Sequence, residues 1–101
     1  MRIRLLSLAL TDIEAGRRFY ERQQSELGDY FLDSLFSDID SLLLHAGVHQ
    51  KFFGYHRALS KRFPYAIYYR IEGEDIQVWR VLDCRQNPAK TTSALTGRES
   101  S

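Results

Sequence analysis

An α+β fold with the element order β-α-α-β-β-β follows from three features of this 101-residue sequence. A short alternating segment opens the chain, two segments of helical period follow it, and from Phe52 onward the apolar period changes to two. Helices that precede a run of strands joined by short turns predict a helical hairpin packed on one face of a small antiparallel sheet.

In "MRIRLLSL" Ile3 and Leu5 alternate with Arg2 and Arg4, the pattern of a half-buried strand. "TDIE" then reads as a capping box, with Thr11 covering free N–H groups and Glu14 reaching back. The helix it opens runs to about Gln24, with Ile13, Phe19 and Tyr20 near one face and Arg17, Arg18 and Glu21 outside. Gly28 suits a left-handed break before a second helix from about Asp29 to Leu44. Phe31, Leu35, Ile39, Leu42 and Leu43 recur there at spacings of three and four, and Asp33, Ser37, Asp38 and Asp40 take the other side. A turn at 60–64 divides the next two strands. In the second of them Tyr65, Ile67, Tyr69 and Ile71 face one way, and Ala66, Tyr68 and Arg70 the other. "EGED" turns the chain into a last strand in which Ile76, Val78 and Leu82 alternate with Gln77 and Trp79. Residues 1–90 thus make a single domain, and 91–101 a polar, flexible tail.

Composition bounds the function. A hydrophobic fraction of 44% with 13% aromatics supports one packed core and argues against disorder. The lone Cys84 excludes an intrachain disulfide and any multi-cysteine metal site. With neither a leader-like start nor a membrane-length apolar run, the expectation is a soluble cytoplasmic protein with no membrane partner. The net charge of +1 hides an asymmetry: residues 1–50 hold five arginines against eight acids, and residues 51–101 nine Lys/Arg against five. A basic C-terminal half suits either a solvated face or an anionic partner.

No metal or other cofactor is implied. His45 and His49 have i, i+4 spacing but straddle Gly47, where the helix should end, and His56 lies beyond. Cys84 beside Arg85 could form a favoured thiolate, but a strand-end cysteine is more often buried and inert. There is no phosphate loop and no nucleophile elbow. What remains is the sheet. Arg57, Lys61, Arg62, Arg70, Arg80 and Arg85 are interleaved with Tyr55, Tyr65, Tyr68, Tyr69 and Trp79. Such a surface could stack bases and hold phosphates, or could simply be strand residues with polar tips at solvent.

"LSLALTDIEAGRRFYERQQSELGDYFLDSLFSDIDSLL", "RALSKRFPYAIYYRI" and "VWRVLDCRQNP", in this order, resemble the RelE/ParE superfamily of toxins from bacterial type II toxin–antitoxin systems. "FYERQQSELGDYF" and "RFPYAIYYRI" look most like the ParE-type, plasmid-stabilisation branch. The resemblance covers roughly residues 3–90 and implies a helical hairpin against a small sheet. RelE-type members are ribosome-dependent mRNA endoribonucleases that use basic residues on the sheet, whereas ParE-type members inhibit DNA gyrase without a nuclease site. The strand arginine of the nucleases falls here on Ala66, and their C-terminal tyrosine has no counterpart after Arg85. If the chain were a nuclease, Arg57, Lys61, Arg62 and Arg85 would have to serve, because a methyl group cannot stabilise charge on the reacting phosphate. The resemblance therefore implies a ParE-like gyrase inhibitor held inactive by a cognate antitoxin, with Arg17, Arg18, Arg22, Arg57 and Arg85 as candidate partner contacts. The alternatives are a ribosome-dependent nuclease and a non-toxic relative that only binds its antitoxin.

Overall fold

Alternation at Arg2–Leu5 produces strand β1, whose Ile3 and Leu5 pack inward as the pattern requires. The computed structural model describes residues 1–97. Helix α1 (Ser7–Gln23) starts directly after β1, because the Leu6 N–H donates to the Val78 carbonyl at 3.1 Å and ends the pairing there. The capping box does not form. Thr11 lies inside the helix and donates its hydroxyl to the Ser7 carbonyl, while Glu14 turns outward to Arg17 and Arg18. Ala9, Ile13, Gly16 and Tyr20 make the buried stripe, and Phe19 stays partly exposed beside it.

The break between the helices also differs from expectation. Glu26, not Gly28, takes the left-handed conformation, with φ 73°. Gly28 belongs to α2 (Leu27–Asp40) because the two helices touch there: a Cβ on it would sit 2.7 Å from the Arg17 carbonyl oxygen. Glu21 caps α2 from the neighbouring helix, accepting from the N–H groups of Glu26 and Gly28 at 3.1 and 3.0 Å. Phe31, Leu35 and Ile39 are buried as their spacing predicts. A one-turn helix α3 (Leu42–His45) follows, leaving Leu42 inside and Leu43 outside. Asp38 is buried rather than solvated; it accepts from Ser60 Oγ at 2.6 Å and from the Lys61 N–H at 3.3 Å, pinning the 60–64 turn to α2.

The sheet contains β2 (Lys51–Phe52), β3 (Tyr55–Leu59), β4 (Tyr65–Glu72) and β5 (Asp75–Asp83), in the order β1-β5-β4-β3-β2. Strands β2 to β5 form an antiparallel meander, and β1 adds parallel to β5. A β-bulge shifts the register between Tyr68 and Tyr69: Tyr69 pairs with Val78 and Tyr68 with Arg80, leaving Trp79 as the extra residue. Ile76, Val78 and Val81 consequently face the hairpin, and Leu82 faces the opposite side, contrary to simple alternation. Tyr65, Ile67 and Tyr69 join the hairpin-side core with Phe31 and Leu35.

Where polar composition suggests a loose tail, the chain forms a fourth helix, α4 (Pro88–Thr96). Asn87 caps it by accepting from the Ala89 N–H at 2.9 Å, Pro88 takes the first turn, and Gly97 ends it in a left-handed conformation. Leu95 is buried on the outer face of the sheet with Tyr55, Ala66, Tyr68 and Leu82. The part of the predicted tail at 98–101 lies outside the described residues.

Candidate functional site

On the outer sheet face, away from the hairpin, Arg57 of β3 opens onto a groove. Arg57 and Tyr68 are cross-strand partners there. The Arg57 Nε donates to Tyr68 Oη at 3.2 Å, its Nη2 approaches Cys84 Sγ at 3.6 Å, and the guanidinium lies 5.5 Å from the Phe52 ring centroid. Phe52, Phe53, Leu82 and Leu95 wall a groove of about 360 Å³ over this group. Cys84 is exposed at its edge rather than buried. Phe53 holds a left-handed conformation, φ 54°, which a bulky residue rarely adopts.

Ala66 lies in the same face but is only 1% exposed, within the small apolar cluster of Tyr55, Tyr68, Leu82 and Leu95. The other cations do not converge on it. Arg85 turns toward α1, pairing with Asp83 at 2.8 Å and donating to Tyr20 Oη at 3.3 Å, with Phe19 beneath it. Lys61 and Arg62 are exposed in the turn that Asp38 anchors to α2. Arg80 is structural: its guanidinium grips Asp12 of α1 through two bonds of 2.7 and 2.9 Å, and the Val81 N–H donates to the same carboxylate. Arg70 covers the Tyr55 ring at 4.4 Å, and Tyr55 lies parallel to Trp79. Of Arg57, Lys61, Arg62 and Arg85, Arg57 alone lines this groove, and among the described residues no second lysine or arginine lines it.

The helix cations divide. Arg17 and Arg18 share Glu14, whose carboxyl is held below its ordinary range chiefly by its hydrogen bond to Arg17. Arg22 is exposed and makes no ion pair among the described residues. His49 meets Tyr69, and His56 bonds a backbone carbonyl. Among the described residues no three His, Cys, Asp or Glu side chains gather as a metal-binding group, and no helix is long and apolar enough to cross a membrane.

Sequence reasoning named Arg57 but missed Phe52, Phe53 and Leu95 as the walls around it. The α4 helix was visible in "NPAK", an N-cap residue followed by proline at the first helical position.

The comparisons agree with this architecture. None of the curated proteins matches the chain. A solved structure from the chromosomal ParDE toxin–antitoxin system of P. aeruginosa superimposes with a TM-score of 0.72 at 19% identity, covering 80% of this chain and 92% of that one, a likeness of fold. The family described as the ParE toxin of the type II toxin–antitoxin system, parDE, matches residues 3–88. From β1 to the first residue of α4, this chain belongs to the ParE toxin family.

Proposed function

We propose that this type II toxin acts in the cytoplasm by gripping a protein, DNA gyrase, and that it does not cut RNA. The observation that carries this reading is the burial of Ala66 within an apolar cluster on the outer sheet face. A hydrolytic site needs preorganised donors aimed at the charge that develops on the phosphate, and loss of one such donor typically costs about 100-fold or more in rate. Here that place is filled by methyl groups, and Arg57 and Arg85 turn toward different elements.

A cognate antitoxin neutralises the toxin in this reading. An acidic amphipathic segment that folds on contact suits exposed basic groups beside apolar surface. Arg17, Arg18, Arg22, Arg57 and Arg85 are its candidate contacts; plasmid stabilisation would follow from such a pair. The test is a supercoiling assay with purified gyrase. Inhibition by the chain, relieved by the protein from the adjacent reading frame, supports the proposal. Unimpeded supercoiling together with arrest of translation would favour the ribosome-dependent nuclease, and healthy growth on induction would favour a non-toxic relative.

A further inference from the structure

The loop between α3 and β2 is held by an arrangement that favours one charge state. Tyr69 is fully buried, and its hydroxyl oxygen receives the Gly47 N–H at 3.0 Å. The same hydroxyl meets His49 Nδ1 at 2.5 Å. With its oxygen already accepting from Gly47, the pairing that leaves no hydrogen without an acceptor sends the phenol hydrogen to an unprotonated Nδ1. Burial raises the Tyr69 phenol above its ordinary value, so at neutral pH the phenol remains the donor in this pair. His56 has the complementary tautomer. Its Nδ1 lies 2.7 Å from the His49 carbonyl, which can only accept, and its ring stacks on Tyr69.

We propose that the His49–Tyr69 contact is a pH-sensitive latch, closing the loop of residues 46–50 only while His49 is neutral. A proton on Nδ1 would turn an N–H toward an oxygen that already accepts one bond. It would also leave the buried Tyr69 hydrogen without its acceptor, a cost of the kind that opens a local contact. The titratable groups facing His49 are His45 at the end of α3, His56 on β3 and Tyr69 on β4; the first two, when charged, oppose its protonation. Burial, and then His56 and His45, hold its pKa below the ordinary value.

The latch bears on the outer groove. Gln50 accepts from the Arg57 N–H at 3.0 Å, and β2, beginning at Lys51, pairs with His56 and Tyr55. Phe52, three residues after His49, forms a wall of the groove over Arg57. Opening of the loop therefore loosens that wall while the hairpin-side core stays intact. The sign follows from linkage: the open loop takes up a proton near the ordinary histidine value of about 6.5, before the closed loop does. Closure is complete above that pH and weakens as pH falls through it toward the lower value of the closed state.

Amide exchange and histidine titration, measured by NMR on the full chain, test this. The Gly47 amide should lose protection below about pH 6.5, by up to tenfold per pH unit, while the Ile67 amide on β4 holds. His49→Asn keeps an acceptor near the Nδ1 position but cannot titrate, and should retain Gly47 protection independently of pH. His56→Asn should leave the pH dependence in place. The proposal is overturned if His49 titrates at or above the ordinary value, if Gly47 protection is flat with pH in the native sequence, or if its pH dependence survives in His49→Asn.

Discussion

The two faces of the sheet are built to different standards. On the hairpin side Phe31, Leu35, Ile67, Tyr69 and Val78 are fully buried, and Tyr20, Phe31, Phe63 and Tyr65 pack ring against ring at 4.8–6.3 Å. On the outer side one nine-residue helix covers the sheet through Leu95, with Ala94 beside it, and a groove remains open over Arg57. The lesson is a division of labour. The hairpin face supplies most of the buried core, whereas the outer face buries fewer side chains and leaves Arg57 accessible.

Paired truncations would break the comparison most visibly. Phe31→Ala should cost about 3–5 kcal/mol and threaten the whole domain, because the ring is enclosed by Tyr20, Phe63 and Tyr65. Leu95→Ala removes the main anchor of α4 and should release that helix, raising amide exchange in residues 88–96 alone. Chemical denaturation of both variants, with exchange read along the chain, tests the contrast; global unfolding on loss of Leu95 would contradict it.

A smaller effect is expected where α1 meets β5. Asp12→Ala strands Arg80 in a site where both side chains are less than one-fifth exposed and should cost on the order of 2–4 kcal/mol in urea unfolding. Exposed cations should matter far less. Arg85 is about half exposed in its pair with Asp83, so Arg85→Ala should change stability by about 1 kcal/mol or less. A larger loss would mean that its bond to Tyr20 belongs to the core after all.

The smallest effect is acidic. The hydrogen bond from Arg85, ahead of the other causes, lowers the Asp83 pKa. A lowered carboxylate pKa contributes stability that is present above the ordinary value, near 4, and is lost as pH falls through the folded-state value. Acid unfolding of Asp83→Asn should therefore show a slightly shallower decline below pH 4 than the native chain.

Much of the fold was legible because period reports burial directly. The spacing of Phe31, Leu35 and Ile39 and the alternation of Tyr65, Ile67 and Tyr69 survive unchanged in the packed domain. The failures have local causes. A capping box at Thr11 was overridden when strand pairing at Leu6 forced the helix to begin earlier. Gly28 was taken for a turn residue when its role is close helix approach, and Leu82 was placed on the wrong face because alternation cannot anticipate the bulge at Trp79. At the candidate site, alternation put Ala66 on the face opposite Tyr65 and Ile67, but its apolar cluster draws Leu95 from a helix whose polar composition hides a single anchoring leucine. The groove walls come from β2 and α4, far apart along the chain, and no local pattern joins them.

The proposal that this toxin does not cut RNA rests on Ala66 lying buried in an apolar cluster of the outer face. Its most direct test is primer extension on a defined message in a reconstituted translation reaction containing the purified toxin. Full-length extension products are expected at every toxin concentration tested. Ribosome-dependent cleavage within codons, abolished by Arg57→Ala, would contradict it.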